Sequence, residues 1–242
     1  NGRVSEGSIE FKPTGIDLVT ATGAPLRETR WAHISLISQT AMNALDPVYT
    51  LSSQIIEAIK LHRDVSRAEA RDRVDELLDM VGLDSRRKDA YPHQLSGGMR
   101  QRAMIAMALA LEPELIIADE PTTALDVITQ DHILHEISEL TELLGNSMIV
   151  ITHDMSVIAE TCDRVGIMYG GELVEVGPVE EVFTNPEHPY TLGLLNAFPT
   201  IEGEQHKLIT MPGEPPDLSN PPIGCDFVDR CPYSRPECET DD

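Results

Sequence analysis

Leu115-Ile116-Ile117-Ala118-Asp119-Glu120-Pro121-Thr122-Thr123-Ala124-Leu125-Asp126 is a short apolar run closed by two adjacent carboxylates. A continuous apolar run of this length is the pattern of a strand covered on both faces, as in the core of a parallel sheet. Successive strand residues point to opposite sides, so Asp119 and Glu120 can take different tasks.

The segments on either side repeat the theme. His33–Ser38 (HISLIS) reads as a buried strand ending at Gln39, and Ser147–Thr152 as another that delivers His153 and Asp154. A shorter strand-like run lies near Ile9–Phe11. Residues 50 to 81 have helical periodicity, with Val74, Leu77, Leu78 and Val81 on one face and Gly82 as the stop. Met99 to Leu111 reads as a helix with Pro113 just past its end. Ile133, Ile137, Leu140 and Leu144 keep helical register in a further one. A helix running through Cys162 and two strands around Gly170-Gly171 follow. Strands alternating with helices indicate an α/β sheet, which places its chemistry at the carboxyl ends of its strands.

The 242 residues suit one large domain, or one domain with an appendage. With 41 acidic and 18 basic side chains the net charge is −23, which argues against general binding to nucleic acid or anionic lipid. Fourteen of the basic residues are Arg and only four are Lys (Lys12, Lys60, Lys88, Lys207), a balance expected of a surface adapted to high salt. No stretch approaches the roughly 20 apolar residues of a membrane span, and Asn1-Gly2-Arg3 does not open a signal peptide. A soluble chain able to dock on a membrane partner is expected. After Pro199 the sequence turns proline-rich and aperiodic, and Cys225, Cys231 and Cys238 crowd into its last 18 residues.

Three strand ends carry the residue types of a nucleotide site. Of Asp119 and Glu120, one can hold Mg²⁺, directly or through water, while the other orients or deprotonates an attacking water. Gln39 offers an amide that both donates and accepts. Leu95-Ser96-Gly97-Gly98-Met99-Arg100-Gln101-Arg102 opens a helix with a serine and two glycines. Free amides and the helix dipole suit a phosphate there, although such a start is by itself also an ordinary cap.

Gln39, then LSGGMRQR, then LIIADEPTTALD, then ITHD, in that order and spacing, closely resembles the nucleotide-binding subunit of ABC transporters over residues 1 to 200. The resemblance implies a P-loop NTPase-like α/β cassette over 1–198, with a helical subdomain at about 50–110, and an irregular Pro/Cys-rich appendage over 199–242. It implies ATP and Mg²⁺ as cofactors and assigns roles by position. Gln39 resembles the Q-loop glutamine near Mg²⁺, beside the segment that touches the membrane subunit. Ser96, Gly97 and Gly98, with Gln101 in the same motif, resemble the signature that meets the γ-phosphate of the opposite subunit. Asp119 is similar to the Walker B aspartate, Glu120 to the catalytic base, Asp126 to the D-loop aspartate and His153 to the switch histidine. The signature implies a second cassette, identical or paralogous, facing the first head to tail.

Asn185-Pro186-Glu187-His188-Pro189-Tyr190-Thr191, Leu45-Asp46-Pro47 and the Met-Arg of the signature resemble the oligopeptide/dipeptide (and nickel) importers. That resemblance implies membrane permease subunits, an extracellular solute-binding protein and a place at the cytoplasmic face of the membrane, with no nucleic acid. A proline-started helix packing Leu192, Leu194 and Leu195 is expected after His188. The tail cysteines, spaced C-x5-C-x6-C, resemble those that hold a [4Fe–4S] cluster in some relatives; three thiolates are one short of the four required. Cys162 is expected as a buried helical thiol.

One departure is large. The phosphate loop G-x-x-x-x-G-K-[ST] is missing, since none of the four lysines follows a glycine. Relatives carry it several tens of residues before the Q-loop, so a chain truncated ahead of that loop is expected. As given, it should bind ATP poorly. The competing readings are a soluble ABC-type ATPase acting on DNA or ribosomes, and a non-catalytic regulatory or iron–sulfur module.

Overall fold

The computed structural model describes residues 4–39, 44–121, 127–197 and 211–240. They fall into two compact units, Asn1–His153 and Asp154–Asp242. The boundary expected at 198–199 lies outside the described residues.

The first unit holds a three-stranded parallel sheet, β3 (Ile34–Ile37), β4 (Leu115–Asp119) and β5 (Ser147–Ile151), with β4 in the middle. Register pairs Ile37 with Ala118 and Ala118 with Val150, so all three strands end at one edge. The expected parallel α/β sheet is present, but the described residues cover its strands on one face only, with Leu36, Ile149 and Ile151 exposed on the other. One sheet face carries the buried Ser35, Ile37, Ile116 and Ala118. A small antiparallel pair, β1 (Glu10–Phe11) and β2 (Ile16–Asp17), and helix α1 (Gly23–Ala32) precede it.

The stretch expected to run helical from 50 to 81 is two helices, α2 (Leu51–His62) and α3 (Arg67–Met80). The break is written in Ser66-Arg67-Ala68-Glu69. The Ser66 hydroxyl accepts the Glu69 N–H at 3.2 Å, and the Glu69 carboxylate accepts the Ser66 N–H at 2.8 Å, a capping box that starts a new helix. Thr50 caps α2 in turn by accepting from the Ser53 N–H. Val74, Leu77 and Leu78 of α3 are completely buried against Leu51, Ile55 and Ile59 of α2 and against Ala103 and Ile105 of α4 (Gly97–Ala108). Gly82, at φ +62°, ends the run as expected, and a side chain there would also meet the Arg102 guanidinium. Helix α5 (Val127–Leu144) adds Ile133 and Ile137 to the same core.

The second unit is built on a hairpin, β6 (Arg164–Tyr169) and β7 (Glu172–Pro178), turning at Gly170-Gly171. Helices α6 (Met155–Thr161), α7 (Val179–Thr184) and α8 (Pro189–Asn196) accompany it. Two expectations need correction. Cys162 is not on a helix: it stands just past α6 in extended conformation, half-buried. In α8 the inward residues are Thr191, Leu194 and Leu195, at the i, i+3, i+4 spacing that shares one face, which leaves Leu192 38% exposed. Described residues 211–240 carry only short 3₁₀ turns, in keeping with the aperiodic sequence.

Candidate functional site

The parallel register brings the ends of β3, β4 and β5 to one edge, the place where α/β sheets do their chemistry. Gln39 stands exposed two residues past β3. Asp119, half-buried, is the last residue of β4 and pairs with Ile151. His153 follows β5 by two residues, with a side chain 83% exposed.

Glu120 does not continue the strand. Its backbone sits at φ +46°, left-handed space that costs a non-glycine residue about 1–2 kcal/mol. The Glu120 N–H donates to the Ile151 carbonyl at 2.8 Å, holding the turn against β5. The turn lays the Glu120 carboxylate on His153, with Oε1 2.8 Å from Nδ1. The carboxylate is 24% exposed, so a largely desolvated base lies beside a solvated imidazole. Such a pair can accept a proton from water and hold the imidazole in one orientation.

Asp119 fits Mg²⁺, which keeps several waters and takes only one or two carboxylates when phosphates supply the remaining oxygens. No group of three or more His, Cys, Asp or Glu able to hold a metal occurs among the described residues.

Ser96 caps α4, its hydroxyl accepting the Met99 N–H at 3.3 Å. Gly97 and Gly98 form the first turn, whose amides have no acceptor within the helix. Gln101, expected as a nucleotide contact, points the other way. It is 2% exposed, and its Nε2 donates to the carbonyl of Pro121. Asp126 lies outside the described residues.

The tail cysteines do not form the expected ligand set. Cys225 is exposed, Cys231 and Cys238 are half-buried, and all three are free thiols. The Cys225 N–H donates to the Cys238 carbonyl at 3.0 Å, so the backbones meet while no metal-holding group is assembled from them. Three thiolates so placed do not fit a [4Fe–4S] cluster, which takes four.

What organises the tail is aromatic. Phe227, 2% exposed, lies edge-on to Tyr169 at 5.0 Å and within 5.6 Å of both Tyr190 and His188. Arg230 covers the Tyr169 and Phe227 rings at 5.8 and 5.9 Å and donates to the Tyr169 hydroxyl and the Pro212 carbonyl. The NPEHPYT segment is held the same way: the N–H groups of Glu187 and His188 donate to the Glu175 carboxylate at 2.9 and 3.0 Å. Burial raises that carboxyl, but the amides that donate to it and the nearby His188 outweigh this and leave its pKa below the ordinary value.

Two known families match separate stretches of the chain. The ABC transporter family matches residues 2–123, and the family described as oligopeptide/dipeptide transporter, C-terminal region, matches residues 174–238. A probable peptide ABC transporter ATP-binding protein of Sinorhizobium fredii is 47% identical over 235 residues, 96% of this chain and 70% of that protein. A putative peptide import ATP-binding protein of Brucella ovis is 46% identical, covering 98% and 73%. A dipeptide transport ATP-binding protein of Lactococcus lactis is 46% identical, covering 95% and 66%. Among solved structures, a dimeric ATP-binding cassette in a post-hydrolysis state bound to ADP and Pi superposes with TM-score 0.65 at 30% identity, over 74% of this chain and 75% of that one.

Proposed function

Because this chain belongs to the ABC transporter family of ATP-binding subunits, we propose that it hydrolyses ATP to drive uptake of di- and oligopeptides through an ABC importer. The observation that carries the reading is the 2.8 Å contact between Glu120 Oε1 and His153 Nδ1, at the strand edge that also carries Asp119 and Gln39. The peptide solute follows from the match of residues 174–238 and from the names of the relatives.

In this reading Asp119 and Gln39 would hold Mg²⁺, which would supply the positive charge that neutralises the phosphates. Glu120 orients and deprotonates the attacking water, and His153 keeps the Glu120 carboxylate in place while reaching the γ-phosphate. Ser96, Gly97 and Gly98 present a helix N-terminus to the nucleotide of a second cassette, with Asp126 at the interface between the two. The cassette pair drives permease subunits from the cytoplasmic face, which receive peptide from an extracellular solute-binding protein. No G-x-x-x-x-G-K-[ST] stretch occurs in the 242 residues, and the matched relatives are longer than this chain. In this reading the phosphate loop belongs to residues upstream of Asn1.

The test is ATP hydrolysis by the subunit carrying that loop, assembled with its membrane partners, with and without peptide-loaded binding protein. Stimulation by peptide is expected. Hydrolysis indifferent to peptide would shift the solute to a nickel chelate or similar cargo, and absence of hydrolysis would remove the enzymatic reading.

A further inference from the structure

We propose that Gln101 is a positioning residue for Glu120, clamping the peptide chain just after it, and that it joins the signature helix to the water-activating carboxylate of the same subunit. The inference rests on the reading of Glu120 as the group that activates water.

Glu120 occupies left-handed backbone space, so its side-chain direction depends on restraints outside the residue itself. One restraint is upstream, where the Glu120 N–H donates to Ile151. A second is downstream, where the buried Gln101 amide donates to the Pro121 carbonyl. The ring of Pro121 fixes its own φ and disfavours right-handed helix at Glu120. Between the two anchored groups only three soft torsions remain: φ and ψ of Glu120 and ψ of Pro121. Releasing the downstream anchor frees that turn and with it the 2.8 Å meeting of Glu120 and His153.

Gln101 stands one turn into α4, the helix that Ser96 caps. A buried polar side chain is poorly placed to touch a nucleotide but well placed to transmit a shift of its helix. In the proposed cassette pair the Ser96 end of α4 faces the opposite subunit's phosphate. Engagement there moves a rigid helix whose next turn holds the Pro121 carbonyl. Each subunit thereby sets its own Glu120 according to its partner's nucleotide.

The experiment uses Gln101→Met, which keeps shape and removes the donor, and Gln101→Asn, which keeps the amide one methylene shorter. Amide hydrogen exchange is read residue by residue on the full chain, without nucleotide. In Gln101→Met the Glu120 amide should exchange about tenfold faster, the effect of one lost buried hydrogen bond, while α3 amides keep their protection. Gln101→Asn should fall between it and the parent. Unchanged exchange at Glu120 overturns the proposal. So does equal loosening of α3, which would make Gln101 a core-packing residue.

In the assembled transporter Gln101→Met should lower kcat about tenfold with KM for ATP nearly unchanged. A raised KM at constant kcat would mean that Gln101 touches nucleotide and would also overturn the proposal. Glu120→Gln measured alongside separates the two readings. If it retains turnover, the role of Glu120 fails, while the exchange result still decides whether Gln101 holds the turn.

Discussion

Glu120 and His153 follow two neighbouring parallel strands and meet at 2.8 Å only because Glu120 leaves its strand in left-handed conformation. A half-buried carboxylate paired with an exposed imidazole is a proton acceptor held in place by its neighbour. Replacing Glu120 with Gln keeps shape and hydrogen bonding but removes the base. Turnover should fall at least about 100-fold, the usual worth of a general base, with nucleotide binding retained. His153→Ala should lower turnover by a similar factor through loss of orientation. Single-turnover ATP hydrolysis checks both, and substantial turnover in Glu120→Gln would remove the carboxylate from the chemistry.

Phe227 should be the anchor of the tail. Its ring is buried among Tyr169, Tyr190 and His188 and covered by Arg230. Phe227→Ala should destabilise this unit by about 3–5 kcal/mol, the usual cost of truncating a buried Phe. Cys225→Ser, at an exposed thiol, should change stability by less than about 0.5 kcal/mol. Chemical unfolding of the two variants measures the contrast. A larger loss for Cys225→Ser would point to a thiol-based organisation instead.

Gly170 is a second anchor whose backbone conformation and close neighbour favour glycine. It sits at φ +60°, and a Cβ there would lie 2.2 Å from the Asp226 carboxylate. Gly170→Ala meets both a strained conformation and a clash. It should cost more than about 2 kcal/mol, and Asp226→Ala should recover part of that loss. Strict additivity of the two changes would contradict the contact.

The strand edge was legible in sequence because its signals are local. Leu115–Ala118 is a continuous apolar run, and carboxylates, glutamine and histidine stand at strand ends whatever surrounds them. Ser66-x-x-Glu69 was equally legible, yet helical periodicity across 50–81 concealed it. Left-handed Glu120 was not, because the hydrogen bonds around it are long-range: its N–H donates to Ile151, 31 positions away, and the carbonyl of the next residue, Pro121, accepts from Gln101, 20 positions from it. Phe227 was hidden for the same reason: a lone aromatic in an aperiodic tail has no pattern, and its partners come from Tyr169, His188 and Tyr190. The cysteines drew notice by clustering in sequence, a weaker guide than the ring buried between them.

The charge of −23 should make stability depend on salt. Self-repulsion on an acidic surface is screened as the Debye length shrinks from about 10 Å at 0.1 M to about 3 Å at 1 M. Melting should rise between about 0.1 M and about 2 M KCl by the equivalent of at least 1 kcal/mol, or about 2–4 °C for a chain of this size. Chloride is preferred to sulfate because sulfate also strengthens apolar burial. A flat response would mark an ordinary acidic surface rather than one adapted to high salt.

His188 should make α8 sensitive to mild acid. Its Nδ1 accepts the Tyr190 N–H at 3.1 Å, which only the unprotonated nitrogen can do. Burial pushes the imidazole pKa below its ordinary value, and the Glu175 carboxylate beside it opposes that shift without cancelling it. A group whose folded pKa is lowered binds fewer protons when folded, so its contribution is complete above the unfolded value of about 6.5. It is lost as pH falls through the folded value. Glu175, also lowered, loses its contribution only in the more acidic carboxylate range, so the two steps separate. The Leu192 N–H, which donates to the His188 carbonyl at 3.1 Å, reports the first of them. Its hydrogen-exchange protection, corrected for intrinsic rate, should fall as pH drops from about 7 to about 5.5. His188→Asn supplies a capping oxygen that does not titrate and should flatten that fall. An equal fall in parent and variant would assign the sensitivity to another group.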